Sequence, residues 1–218
     1  MAESTIQITR PFGPSIARAE MPKELIETLN KYIDDIINDK EKTKKQDWGH
    51  KLVGHVKQEF KLENDFIEKS GFMKFLSQAV SAWIKNTEKK QITKFHIHES
   101  WVVRQFKNEF NPVHWHSGHV SGVGYLKLPK SFGKPEQADK KEGINKMGRI
   151  ELIHGNKMFM QRSTFSILPE VGSFYFFPNY MMHTVYPFKD SDEERRSISF
   201  NANVDASIYD AYGGYGEK

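Results

Sequence analysis

Asn111-Pro-Val-His-Trp-His-Ser-Gly-His-Val-Ser-Gly-Val-Gly-Tyr-Leu-Lys-Leu-Pro129 decides how this chain is read. In an extended strand, residues two apart share a face, so His114 and His116 present two imidazoles to one point. A partner segment follows downstream, Gly172-Ser-Phe-Tyr-Phe-Phe-Pro-Asn-Tyr-Met-Met-His183, and after it Glu194-Arg-Arg-Ser-Ile-Ser-Phe-Asn201. His183 reaches the first two histidines only if the chain folds back into a barrel. Arg195 and Ser197 repeat the i, i+2 spacing and put a guanidinium and a hydroxyl on one face, which suits an anionic ligand. Ser199 and Asn201 share that face, while Ile198 and Phe200 take the apolar one. Arg196 then points away. An exchange of the two arginines stays open, as does a surface ion pair of Arg195 with Asp190, Asp192 or Glu193, which would contribute little. Clustered histidines with an open side and a carboxylate anchor describe an iron site with an organic acid beside the metal.

Composition narrows the class. The 218 residues are enough for one domain with a substantial core and too few for two ordinary ones. Apolar residues at 38% and charged residues at 28% mark a folded globular chain. No apolar run approaches a membrane span, and no signal-peptide pattern opens the sequence, so the expected compartment is the cytoplasm. With no cysteine, a metal must take His, Asp or Glu. The net charge of +4 is small, and its lysines gather in Lys40–Lys51 and Lys127–Lys146, which read as solvated loops. Neither nucleic acid nor membrane is an expected partner.

Residues 1–20 read as an irregular lead-in. Pro22 opens a helix at 22–39, with Leu25, Ile26, Leu29, Tyr32, Ile33, Ile36 and Ile37 along one stripe. A charged connector (38–51) and an ambiguous segment (52–62) precede a second helix at 64–87, which Gly71 interrupts. From residue 91 the rhythm becomes short β-like runs, among them 91–98, 100–107 and 157–160, separated by Gly, Pro, Asn or Asp. The interval Pro129–Gly148 is the longest insertion and reads as a mobile loop beside the site. Helices first and strands afterwards give an α+β layout. One domain is expected over 1–218, with helical support at 1–90, the barrel core at 91–204 and a loosely ordered tail at 205–218.

Four motifs in this order carry a resemblance: His-X-His (114–116), Ser-Gly-Val-X-Tyr-Leu (121–126), Phe-Pro-X-X-X-X-His (177–183) and Arg-X-Ser-Ile-Ser-Phe-Asn (195–201). Together they resemble the 2-oxoglutarate- and iron(II)-dependent oxygenases, most of all a small prolyl-hydroxylase-like group common in phage and marine bacterial genomes. The motifs span roughly residues 100–204, and Pro11-Phe-Gly-Pro14 and Leu52-Val-Gly54 add weaker similarity. The resemblance implies a double-stranded β-helix (jelly-roll) barrel backed by the N-terminal helices. It also implies an enzyme, a dioxygenase that uses Fe(II) and 2-oxoglutarate to hydroxylate a C–H bond, releasing succinate and carbon dioxide.

On that resemblance the metal ligands are His114, His116 and His183, with no catalytic residue beyond them. Most of the superfamily has a carboxylate where His116 stands, so His119 or a carboxylate remains an alternative third ligand. Arg195 and Ser197 would grip the far carboxylate of 2-oxoglutarate, with Tyr125 and Arg104 facing the same cosubstrate. Tyr125 as a plain core aromatic is the competing reading. Trp115 reads as packing, Phe174, Phe176, Phe177 and Met181 as barrel core, and His96, His98 and His154 as structural or exposed. Two rivals stay open: a three-histidine cupin-like metal protein without 2-oxoglutarate, and a non-catalytic jelly-roll binding module. Expected partners are dioxygen and a substrate, either a peptide or protein (peptidyl proline first) or a small molecule. A homodimer is left open.

Overall fold

The structure, a computed structural model, describes residues 6–9, 13–132, 148–206 and 208. Two short strands, β1 (Ile6–Thr9) and β2 (Ile16–Glu20), replace the expected irregular lead-in and pair antiparallel. Their polar alternation hid them, because they add to the edge of a sheet whose other strands come from much later in the chain. Helix α1 (Lys23–Ile37) follows Pro22 and buries Leu25, Leu29, Ile33 and Ile36, the stripe its three- and four-residue spacing dictates. The charged connector contains a helix of its own, α2 (Lys40–Gln46). Asp39 caps it by accepting from the amides of Glu41 and Lys42.

The ambiguous stretch resolves into a 3₁₀ turn at Gly49–Lys51 and strand β3 (Gln58–Lys61). Two helices then stand where one interrupted helix was expected, α3 (Asn64–Lys69) and α4 (Phe72–Glu88). Gly71 between them has φ 86°, a left-handed conformation that glycine adopts without steric cost.

The barrel is made of β4 (Phe95–Gln105), β5 (Asn111–His114), β6 (Val120–Lys127), β7 (Ile150–Ile153), β8 (Thr164–Ile167), β9 (Ser173–Pro178), β10 (Met182–Val185) and β11 (Arg195–Val204). Two runs expected as separate strands merge into the single long β4. The run at 157–160 is instead the tip of a tight turn, closed by a bridge between Met158 and Gln161, with Met158, Phe159 and Met160 exposed. Most of the Pro129–Gly148 insertion (133–147) and most of the tail lie outside the described residues.

Strands order as β1-β2-β9-β6-β11-β4-β3 in one sheet and β5-β10-β7-β8 in the other, every pairing antiparallel. Helices α1 and α4 cover one face of the large sheet, packing Leu29, Ile33, Phe75, Leu76 and Val80 against Val102, Phe174, Phe176, Ile198 and Phe200. Gly124 lets the Phe174 ring lie on the β6 backbone, since a Cβ there would sit 2.3 Å from that ring. Between the sheets lies a second core of Ile16, Val123, Tyr125, Leu152, Ile167, Phe177 and Met181. The aromatics expected as barrel core therefore divide: Phe174 and Phe176 face the helices, whereas Phe177 and Met181 fill the barrel. The result is the expected α+β jelly roll. None of the described helices is long and apolar enough to cross a membrane.

Candidate functional site

Strand pairing brings the distant histidine home. His183 on β10 lies directly opposite His114 on β5, and Leu152 of β7 flanks it on the other side. His116 stands beyond the end of β5, so strand alternation alone does not aim it. A hydrogen-bonded clasp with Asn179 does: the His116 amide donates to the Asn179 carbonyl at 3.0 Å, and Asn179 Nδ2 returns to the His116 carbonyl at 3.2 Å.

The three imidazoles converge. Candidate ligand nitrogens of His114, His116 and His183 all lie within 4.8 Å of one another, and Nε2 of His116 is 3.2 Å from Nε2 of His183. The Nδ1 atoms of His114 and His183 contact the carbonyls of Pro112 (2.7 Å) and Met181 (2.9 Å). That contact places the proton on Nδ1 and leaves each Nε2 lone pair facing its neighbours, the tautomer a metal requires. Burial, joined by the neighbouring imidazoles, pushes His116 down to about 2 and His183 to about 3, and burial lowers His114 as well. At neutral pH the cluster is three uncharged donors. Rings close it in: Trp101 packs 5.4 Å from His116 and Phe177 5.0 Å from His183.

Deeper in the barrel sits Arg195, 2% exposed. Its Nη1 reaches Ser197 Oγ at 3.3 Å, and its guanidinium lies 5.1 Å from the Tyr125 ring centre. Arg195 Nε and Nη2 and the Tyr125 hydroxyl are buried with no hydrogen-bond partner. A buried cation with two idle donors is costly unless an anion joins it. Burial pushes the Tyr125 phenol up to about 12, so it is a neutral donor at physiological pH. Arg195, Ser197 and Tyr125 thus gather donors of the kind that a carboxylate would satisfy. Tyr125 belongs to the same buried cluster as Leu152 and Phe177, which both touch the histidine group through His183.

Arg104 does not join this group. Its register partner on β11 is Arg196, not Arg195. Its Nε donates to Glu194 Oε1 at 2.7 Å, its Nη2 to Oε2 at 3.2 Å, and its Nη1 to Gln58. It is a structural cation on the opposite face of the sheet. Arg196 shares that face, bonded to Glu194, Asp34 and Asn30. His119 is outside the histidine group, its Nδ1 accepting from the Val204 amide, and so are His96, His98 and His154. Trp115, read as packing, is 67% exposed and borders a cavity of about 180 Å³ beside His114 and His116. Glu99, Trp101 and Asn201 line the same cavity. Sequence reasoning passed over Glu99, because only the fold brings its strand alongside the histidine motif.

The histidines and Arg195 fit a metal with a bound dicarboxylic acid: neutral nitrogen donors at the metal and unpaired cationic donors for the acid. Residues 99–201 match the model of a family described as "Putative 2OG-Fe(II) oxygenase". Among solved structures, a Pseudomonas putida prolyl-4-hydroxylase aligns at 14% identity and a TM-score of 0.57, over 85% of this chain and 91% of that one. AviO1 from Streptomyces viridochromogenes gives 11% and 0.54 over 85% and 87%. HygX from Streptomyces hygroscopicus, solved with nickel and 2-oxoglutarate, gives 10% and 0.53 over 86% and 81%. At these identities the likenesses establish the double-stranded β-helix fold and nothing finer. No curated protein matches by sequence.

Proposed function

We propose that this chain, whose residues 99–201 match the family model, is a 2-oxoglutarate- and iron(II)-dependent oxygenase that holds its metal with His114, His116 and His183. Arg195, Ser197 and Tyr125 take the far carboxylate of 2-oxoglutarate. The observation that carries the residue assignment is the pairing of a three-imidazole cluster with a buried, donor-rich guanidinium in one barrel. When bound, iron(II) and 2-oxoglutarate supply the oxidising chemistry that uses dioxygen to hydroxylate a substrate C–H bond, with release of succinate and carbon dioxide.

The chain's own residues do the positioning. Carbonyls of Pro112 and Met181 fix two imidazole tautomers. Arg195 and Ser197 orient the cosubstrate through its distal carboxylate, a pairing that lysine would not reproduce. Phe177 and Trp101 pack against His183 and His116 and help hold those rings in place. Three neutral imidazoles bring no negative charge as ligands, so the anionic ligand atoms at the metal would come from the cosubstrate.

The cupin-like alternative has no use for Arg195, whose burial without a counter-charge favours the 2-oxoglutarate reading. Peptidyl proline is the first substrate to test, since the solved prolyl-4-hydroxylase shares the fold. The test is thermal. Manganese with N-oxalylglycine, an inert cosubstrate mimic, raises the melting temperature by several degrees, and iron with 2-oxoglutarate releases succinate. If neither occurs at millimolar ligand, the reading fails.

A further inference from the structure

Along β11 the barrel-facing residues run Arg195, Ser197, Ser199, Asn201. Arg195 marks one end of this row. At the other end lies a second polar group, outside the three-histidine cluster. Asn201 lies between Glu99 of β4 and Ser121 of β6, its register partners on either side. Ser121 Oγ donates to Asn201 Oδ1 at 2.7 Å, and Asn201 Nδ2 donates to Glu99 Oε1 at 2.8 Å. Ser121 and Asn201 are buried, so this chain fixes which way the amide faces. Its effect is to hold one carboxylate oxygen of Glu99 in place.

Glu99 borders the cavity of about 180 Å³ that also contains His114 and His116. A group seated there is within reach of the metal centre. The space is about six times the volume of one liquid water and smaller than a drug-sized pocket, so it admits a single side chain or a small metabolite. Two indole rings, Trp101 and Trp115, form part of the wall. Lys51, exposed on the rim, is the one cation in the lining. A carboxylate in a cavity partly walled by indole rings suits a positively charged N–H donor.

We propose that Glu99 is a specificity residue, selecting substrates that present an ammonium or guanidinium group to this cavity. The inference rests on the oxygenase reading above and narrows its substrate class. Glu99 accepts the charged N–H while Asn201 and Ser121 keep it oriented. The cation is thereby anchored beside the metal, with the C–H bonds of its own carbon chain nearest the reacting centre.

The test uses the manganese- and N-oxalylglycine-loaded protein and two pairs of probes: blocked arginine against blocked citrulline, and blocked lysine against blocked norleucine. Binding is read by calorimetry, and closeness to the metal by paramagnetic broadening of the probe's proton signals. The cationic member of at least one pair binds about tenfold or more tightly and is broadened. In Glu99→Gln, which keeps the shape and the Asn201 contact, that preference disappears; a melting curve shows the variant folded. In Lys51→Ala the preference remains. Equal binding within both pairs, no binding of any probe, or a preference that survives Glu99→Gln overturns the proposal. Should manganese and N-oxalylglycine themselves fail to bind the wild type, the oxygenase reading falls first and takes the inference with it.

Discussion

Arg195 and Arg196 are neighbours in sequence, about equally buried, and opposite in circumstance. On the helix-facing side, Arg196 meets Glu194 Oε1 at 2.7 Å, Asp34 Oδ1 at 2.7 Å and Asn30 Oδ1 at 2.9 Å, so α1 is tied to the sheet. Arg104 completes that network through the same Glu194. Burial would raise the Glu194 carboxyl, but hydrogen bonds from Arg104 and Arg196 hold it down at about 2. On the barrel side, Arg195 keeps two donors idle. A saturated cation is structural, whereas an unsaturated one in the same strand has donors that an anion would satisfy. Satisfaction of hydrogen bonds, not burial or residue type, separates the two faces.

The sharpest way to break that comparison is to remove each arginine in turn. Arg195→Ala lowers 2-oxoglutarate affinity by a hundredfold or more, equivalent to about 3 kcal/mol, and succinate release falls with it. The fold of the variant is retained, since no protein partner of Nε or Nη2 is lost. Isothermal titration of the manganese-loaded variant checks this, and near-wild-type affinity would reassign the anion pocket. Arg196→Ala has the opposite signature. It costs about 2–3 kcal/mol of stability by leaving Glu194 and Asp34 short of their partner, while cosubstrate affinity per folded molecule is unchanged. Urea unfolding beside the same titration separates the two effects.

Carboxylates sort in the same way. Glu59 on β3 is fully buried with both oxygens unpartnered. Desolvation, with Glu109 and Asp47 adding repulsion, pushes it up to about 7. For an acid raised in the folded state, the protonated form favours folding. Its contribution is fully present below about pH 4.5 and is lost as pH rises through about 7. Glu59→Gln therefore flattens the stability profile over that window and raises stability at about pH 8 by about 2 kcal/mol. Chemical unfolding at several pH values reads this out, and a variant whose stability follows the wild-type slope would put the titrating group elsewhere.

What the sequence disclosed follows the same division. Alternation within one strand is local, so it puts Ser197 and Arg195 on one face and Arg196 on the other, although alternation alone leaves an exchange of the two arginines open. The meeting of His183 with His114 was legible as a requirement of the motif order. Which strand lies beside which, and in what register, is a non-local property. That gap explains the failures. The family resemblance puts Arg104 toward the cosubstrate, and nothing in its own strand says that its partner is Arg196. Alternation aims His116 at the same point as His114, although it stands past the strand's end and is held by Asn179. Strands β1 and β2, added beyond β9 at one end of the large sheet, carry too little apolar pattern to announce themselves. Glu59 gives no local signal at all, since its lack of partners exists only in the packed state.

Arg104 gives the smallest expected effect and the cleanest test of that register. It is partly exposed, its side chain at 13%, and it shares Glu194 with Arg196, so its loss leaves the carboxylate paired. Arg104→Gln therefore costs only about 1 kcal/mol, a few degrees in melting temperature. Cosubstrate affinity stays at the wild-type value, because the guanidinium lies on the far side of the sheet from Arg195. Had Arg104 faced the cosubstrate, its removal would have weakened 2-oxoglutarate binding far more than it weakened the fold. The ratio of the two losses, measured in one variant, therefore reports which face of β4 the arginine occupies.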